Sequence, residues 1–555
     1  FRAAKTTIDR TNLRTTYCVL RTVYKITVTA RDGLWPTPTG FRCPVPGQPP
    51  GRTSDHDFPL LPAISGEVST TSQHNLRQPK PDAAAGSSPS AGQAGQEAGR
   101  LPLSRSLKLL ETVALTVAAV APTAGVFIIV PVALVATGTG TFYTFLLGAA
   151  IAVCVGYCYA ELGVAFPYAG GEYSIAGRVL SRPIGFVTLI MWIIQIVFGL
   201  SAISLGAATY LSGIWPGLNP NAFGAGLAAL ATIIAIFRVN RGAKVTVLFM
   251  VVELAVLAII AVLGFTHVHN GASALFSPHL FSASGHTTPV GIGTIVAGIS
   301  FSLYTYNGYG SAVYFSEELQ GGRRQVGRVV LLSLFAVILV TLIPVVAILL
   351  GAPSIGAMSN SSSPMTYFVT TLSDKTLNTV IGVMVVLSVF NAVIAGIMSF
   401  ARIVYSSGRD HAWPQPISRW LATVAPQSRS PWVATLVLGV PIVVLTAASN
   451  LAEVVTFTGV LVTIVYVVVT LSAVASRWRK IPGQREYRMP AWPLAPLLAL
   501  AATVYVMTQQ TGGNLEITGW IVLGSVLYFA AYLRSRRTGR WTLDDAPAQS
   551  EQSEQ

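Results

Sequence analysis

Twelve apolar stretches, each long enough to cross a bilayer, run from Leu109 to Tyr532, and two carry backbone-disrupting residues in their middle. A hydrocarbon core of about 30 Å takes roughly 20 helical residues. The predicted spans are 109–136, 142–163, 184–212, 222–238, 245–266, 290–315, 326–351, 377–405, 432–449, 452–475, 493–508 and 517–533. With 52% hydrophobic and 10% charged residues, the chain reads as an all-α polytopic membrane protein of 12 transmembrane helices.

Inside a bilayer a helix satisfies its own backbone, so freed donors and acceptors are tolerated only where protein or a polar cavity takes them up. The first span carries Ala121-Pro122-Thr123-Ala124-Gly125, and the sixth carries Thr305-Tyr306-Asn307-Gly308-Tyr309-Gly310. Pro122 has no amide hydrogen to give the carbonyl of Ala118, and Gly125 lowers the cost of leaving helical geometry. Freed amides near a half-helix N-terminus suit a carboxylate; freed carbonyls near a C-terminus suit an ammonium or a cation. An amino acid offers both groups. Against this stands the ordinary use of Gly and Pro for tight packing of membrane helices.

The breaks open two successive groups of five spans. Inverted repeats of secondary transporters place paired broken helices at the midplane, where substrate binds. An odd number of spans per repeat inverts the second group, so the breaks in spans 1 and 6 would face each other in a 5+5 core, with helices 11 and 12 outside it.

The formal net charge of +14 does not require nucleic acid. Basic residues follow spans 2, 4, 6, 8, 10 and 12, among them Arg178, Arg182, Arg238, Arg241, Lys244, Arg323, Arg324, Arg409, Arg477, Arg479, Lys480, Arg534 and Arg536. The alternate connections offer Lys375. By the positive-inside rule, both termini are expected in the cytoplasm of a multi-pass protein of the plasma (inner) membrane.

Residues 1–100 are polar and end in a small-residue tract, 83–92, a composition expected to remain disordered. The chain begins at Phe1, so this region reads either as a genuine cytoplasmic tail or as upstream sequence from a misplaced start. Residues 101–535 form the expected transporter domain, and 536–555 a cytoplasmic C-terminal tail. Cys154 and Cys158 share one helical face, a packing pattern. His267, His269, His279 and His286 share one connection, but their spacing fits no standard ligand set. No metal or cofactor is expected.

The segment Ala160-Glu161-Leu162-Gly163-Val164-Ala165-Phe166-Pro167-Tyr168-Ala169-Gly170-Gly171-Glu172-Tyr173 resembles one at the end of the second span in the amino acid, polyamine and organocation (APC) superfamily. Supporting matches are Glu317-Glu318, Gly408-Arg409-Asp410 with Pro414, and Arg485-Glu486-Tyr487-Arg488-Met489-Pro490. The resemblance covers about Leu109 to Tyr532. It implies the leucine-transporter type of inverted repeat, alternating access, and amino acids or related amines as substrates. Relatives bind the substrate carboxylate at a Gly-Ser-Gly-like break before an Ile-Phe pair; here the run is Thr123-Ala124-Gly125-Val126-Phe127, which keeps Gly125 and Phe127. Tyr304 matches an aromatic lid over the substrate. Gly310 stands where some members carry an acid, a departure that points to neutral amino acids over cationic amines.

Glu253 lies in the middle of span 5. An ionisable residue at that depth is costly and faces the interior, a cavity or a partner. It reads either as a coupling residue that takes up and releases a proton, or as a hydrogen-bonded structural acid. Relatives with a Lys in a similar place link that position to proton coupling, and a Glu inverts the charge. Glu161 and Glu172 flank the loop after span 2 and are candidate gate partners of Arg178 or Arg182, with ordinary loop structure as the alternative. Trp192 and Gln195 in span 3, and Asn391 in span 8, read first as packing and interhelical bonding.

The expected function is a secondary active permease for amino acids or related amines, proton-coupled, with sodium as the alternative ion. A facilitator or exchanger of the same fold is the nearest rival; a transporter-like sensor or a membrane enzyme would belong to another class. No nucleotide-binding loop is present for direct ATP drive. An enzyme is not expected, since Glu253 is the one strong mid-membrane carboxylate and convergent acid, base and metal ligands are lacking. The preferred substrate and the oligomeric state stay open.

Overall fold

Long runs of Leu, Val, Ile and Ala with few interior charges leave the backbone one way to satisfy itself in hydrocarbon, and the chain takes it. The computed structural model describes residues 108–533 apart from 167–169, 238–242, 282–285, 317–318, 321, 426–429 and 480–486. The expected N-terminal and C-terminal tails, the Glu317-Glu318 and Arg485-Glu486 pairs, and the charges at 238, 241, 480 and 534–540 lie outside the described residues, as do the side chains of Lys244 and Arg323.

The helices are α1 (Leu109–Val120), α2 (Val130–Thr137), α3 (Thr141–Ala165), α4 (Gly171–Val179), α5 (Arg182–Ser212), α6 (Pro220–Ile236), α7 (Ala243–Thr266), α8 (Ile292–Tyr306), α9 (Arg323–Gly351), α10 (Lys375–Arg409), α11 (Trp432–Ala448), α12 (Leu451–Trp478), α13 (Leu494–Thr508) and α14 (Gly512–Tyr528), joined by shorter turns. Among the described residues seven helical stretches are long and apolar enough to cross a membrane; one of them, Leu109–Ala165, is 57 residues long. It is interrupted at Ala121 and again at the tight turn Gly138–Gly140. The apolar helices α6, α11 and α13 are shorter.

Several helix ends in this bundle are satisfied by polar side chains, some local and some from distant segments. Asn219, Asp374 and Asn450 cap the starts of α6, α10 and α12 by accepting from Ala222, Leu377 and Ala452 N–H. At the other polarity, Asn270 Nδ2 donates to the carbonyls of Leu349 and Ala352 at the end of α9, and Asn221 Nδ2 to those of Thr446 and Ser449 at the end of α11. Hydroxyls within helices bond back to the carbonyl four residues earlier, as at Thr116, Ser204, Thr232 and Thr463, which hides them from the apolar surroundings.

Packing divides each helix into two faces. α3 runs against α8 and α9; α5 is held between α4, α6, α10 and α12; and α7 lies on α9. At the α7–α9 crossing Gly264 and Gly351 leave no room for a side chain, since a Cβ on Gly351 would stand 2.5 Å from Gly264 Cα. The outward faces stay apolar: Val380, Val383 and Leu387 on α10, and Val437, Val440 and Val444 on α11, are exposed at helical spacing. A surface of that kind suits lipid rather than water. In the connection between α7 and α8, β1 (His279–Phe281) pairs antiparallel with β2 (Thr287–Pro289), His279 opposite Pro289.

Candidate functional site

The first break forms because Ala121 adopts a left-handed backbone, φ 56° and ψ 64°, ending α1 one residue before Pro122. One helical turn, Pro122–Ala124, follows, then a widened π-helical turn, Gly125–Ile129. Ala121, Pro122, Thr123, Ala124 and Gly125 are all buried. The amide that the break frees at Thr123 donates to Glu253 Oε1 at 3.0 Å, and Thr123 Oγ1 donates to the Glu253 carbonyl at 3.4 Å. Glu253 therefore has the partner that the sequence could not name: it braces the broken helix from α7 across 130 residues of chain.

The second break starts where α8 stops at Tyr306. Asn307 is extended, and Gly308 takes φ 117°, a conformation that side-chain-bearing residues rarely adopt. A short 3₁₀ segment, Tyr309–Phe315, follows. Asn307 Oδ1 accepts from Tyr466 of α12 at 3.4 Å. Tyr304 donates through its hydroxyl to the Gly199 carbonyl of α5 at 2.8 Å. Tyr304, Asn307 and Gly308 are half-buried, whereas Leu303, Thr305, Tyr306, Tyr309 and Gly310 are buried.

The two breaks touch. A Cβ on Gly125 would stand 2.5 Å from Thr305 Cγ2, and one on Gly308 would stand 3.1 Å from Val120 Cγ2 and 3.2 Å from Val120 Cα. At Gly308 the absent side chain lets the two backbones meet, and at Gly125 it makes room for the Thr305 methyl group. A separate cavity of about 320 Å³, lined by apolar side chains including Leu147, Cys154, Val296 and Leu498, lies between α3, α8 and α13, away from both breaks.

At the end of the bundle that carries α4, charges close a second layer. Glu161, buried at 1% exposure, is gripped by Arg477 of α12, whose Nε and Nη2 donate to its two oxygens at 2.6 Å each, and it also accepts from the Met489 amide at 2.8 Å. Arg477 lies over the Trp492 ring at 4.3 Å, and Arg479 donates to the Val179 carbonyl at the end of α4. Glu172 accepts from Tyr159 at 3.0 Å and Tyr314 at 2.5 Å. Burial pushes its carboxyl above the ordinary glutamate range, a shift that the two phenols partly offset. Tyr173 donates to Asp410 Oδ2 at 3.0 Å, tying α4 to the end of α10. Neither acid engages Arg178 or Arg182, the partners expected from proximity in sequence. Arg182 is exposed at the start of α5, and the long Arg477 side chain reaches Glu161 with a two-pronged geometry that matches a carboxylate.

Gly310 sits between these layers, where a Cβ would meet Tyr159 Cε1 at 2.6 Å and Glu172 Oε1 at 3.2 Å. Trp192 and Gln195 are buried, Trp192 against Tyr314 and Phe400. Asn391 is also buried. His269 is hydrogen-bonded to the Gly351 carbonyl and His279 to that of Ser277. Among the described residues no group of three or more His, Cys, Asp or Glu is placed to hold a metal. Sequence reasoning missed Tyr159, Tyr314, Tyr466 and Arg477. Of these only Tyr314, four residues past Gly310, stands at regular spacing from a residue that the sequence singled out, and the choice of partner requires the fold.

A family model described as amino acid permease matches residues 107–531. The chain belongs to the amino acid permease family. This permease is a transporter of the APC superfamily, not an enzyme. It is 22% identical over 411 residues to a branched-chain amino acid permease of Lactococcus lactis subsp. cremoris (strain MG1363), covering 71% of this chain and 87% of that one. A methylthioribose transporter of Bacillus subtilis (strain 168) is 21% identical over 449 residues, 77% of this chain and 93% of that one. A serine/threonine exchanger of the same organism is 24% identical over 379 residues, 66% of this chain and 81% of that one.

Proposed function

We propose that this permease moves neutral amino acids across the plasma (inner) membrane by alternating access, with the two breaks as halves of one substrate site and a proton as the coupling ion. The observation that carries the reading is the contact between the breaks, Gly125 against Thr305 and Gly308 against Val120, deep in an apolar bundle. The architecture that goes with it has twelve crossings in a 5+5 inverted repeat plus two, both termini in the cytoplasm. The first break takes the substrate carboxylate and the second the ammonium group, with Tyr304 as the lid.

Glu253 supplies the logic of coupling. Its carboxyl already accepts from an amide of the first break. Two carboxylates against the same freed amides repel, so the substrate enters with Glu253 protonated, and the proton travels with it. Glu161, with Arg477, and Glu172, with its two tyrosines, would close the path toward α4 while the site faces the other way. The bond from Thr123 also suits an exchanger in which Glu253 only braces the helix.

Uptake of labelled amino acids into proteoliposomes with an imposed pH gradient separates these readings. The proton-coupled reading expects accumulation that Glu253→Gln abolishes while counterflow exchange persists. PH-independent uptake in the unmodified protein would reject coupling, and turnover without translocation would reject transport.

A further inference from the structure

From the register of α5 against the second break, we infer a side-chain subsite, built by Gln195 and Ser311, that selects neutral amino acids bearing a hydroxyl or carboxamide over branched aliphatic ones. The inference rests on the transport reading above and adds the substrate class to it.

Two contacts fix the register. Near one end, Trp192 packs edge-on against Tyr314 with ring centroids 5.9 Å apart. Toward the other, Tyr304 donates to the Gly199 carbonyl. Between them α5 and the chain from Tyr304 to Tyr314 run antiparallel, so Trp192 pairs with Tyr314, Gly199 with Tyr304, and Gln195 falls level with Ser311. Gln195 is three residues past Trp192 and four before Gly199, on the same helical face. Ser311 is one 3₁₀ turn before Tyr314, on the same edge of its segment.

Both side chains are more than nine-tenths buried, and Gln195 Oε1 and Ser311 Oγ have no hydrogen-bond partner among the described residues. A buried polar atom left unpaired is costly, so two at one level of the bundle ask for a ligand. Ser311 is tied to the second break by its amide, which donates to the Gly308 carbonyl at 2.9 Å, and Asn307 and Gly308 are half-buried. The indole N–H of Trp192 is also without a hydrogen bond, but it lies on the Glu172 side and stabilises that carboxylate over a longer distance. It belongs with the α4 end.

The chemistry that satisfies the pair is a group able to donate and accept at once. A carboxamide can turn either its oxygen or its nitrogen inward, and a hydroxyl rotates to suit. A serine, threonine or asparagine side chain completes the set; a valine or leucine side chain leaves both atoms unpaired. Sites built to bond a hydroxyl reject analogues that lack it far more strongly than apolar pockets discriminate by size.

The test is uptake of labelled L-serine, L-threonine and L-asparagine against L-valine and L-leucine into proteoliposomes of the full chain. The unmodified protein is expected to prefer the polar set by about tenfold or more in kcat/KM, and Gln195→Leu and Ser311→Ala are each expected to cut that preference by about tenfold. If Gln195→Leu does not fold, Ser311→Ala, which removes one oxygen, still reports. Equal uptake of both sets, or variants that keep the unmodified ratio, would overturn the subsite and leave the transport reading standing. Uptake of neither set would overturn both.

Discussion

Adding one methyl group at Gly125 tests whether the two breaks form one site. A Cβ there would stand 2.5 Å from Thr305 Cγ2, while Thr305 Cβ is 3.7 Å away and Oγ1 4.0 Å. The collision is thus with a single methyl group on the opposite break. Gly125→Ala forces that contact apart, and overpacking of this kind costs about 1–3 kcal/mol. If the cost falls on the state in which the breaks meet, the population able to bind substrate drops by about 5- to 150-fold. Thr305→Ser removes only the offending methyl group and leaves ordinary contacts at 3.7 and 4.0 Å, so the double variant should recover most of the loss. The assay is transport in proteoliposomes together with melting temperature in detergent, for both single variants and the double. Additive losses, with no rescue by Thr305→Ser, would refute the contact and with it the argument that the breaks share a ligand.

Three further outcomes follow from the hydrogen bonds. Arg477→Met strands a buried Glu161 and should destabilise the protein by about 3–5 kcal/mol, whereas adding Glu161→Leu should restore much of it, read from denaturation in detergent. Glu253→Leu leaves the Thr123 amide unpaired and should cost about 1–3 kcal/mol, while Glu253→Gln keeps an acceptor and should melt close to the unmodified protein. Glu172, raised by burial, contributes its full stability below the ordinary glutamate value of about 4.3 and loses it as pH climbs through the raised value. The melting temperature of Glu172→Gln relative to the unmodified protein should therefore rise with pH over that window; a constant difference would contradict a buried, titrating carboxyl.

What was legible in the sequence is what local chemistry controls. The span predicted at 184–212 is the helix Arg182–Ser212, and that at 452–475 is Leu451–Trp478, because an apolar run bounded by charge or a capping Asn leaves few choices of end. The breaks at Ala121–Gly125 and Asn307–Gly308 were also legible, since Pro and Gly act on their own backbone. Partners were not. Glu161 lies 316 residues from Arg477, and Glu253 lies 130 from Thr123. Proximity in sequence pointed to Arg178, but side-chain reach and helix crossing decide such pairs, and neither is written in spacing. Gln195 read as packing, and it is buried; an unpaired side-chain oxygen there is a property of the fold, not of the spacing.

The empty position at Gly310 gains a meaning that composition could not supply. Some relatives carry an acid there, which suggested that this chain has none at that level. Yet Glu172 Oε1 comes within 3.2 Å of where a Cβ at position 310 would stand, and Tyr159 already fills the space beside it. The carboxyl is present but is mounted on α4 rather than on the second break. Its two hydrogen bonds run to α3 through Tyr159 and to the segment after the break through Tyr314. An acid carried by the break would move with the substrate site. In the proposed alternating-access cycle an acid carried by α4 would stay behind if the Tyr309–Phe315 segment shifted, and its shortest bond, 2.5 Å to Tyr314, is the one that such a shift would break. A buried carboxyl stripped of a donor must find water or keep a proton, so under that proposal the state of Glu172 would follow the opening of that end of the bundle rather than the filling of the substrate site.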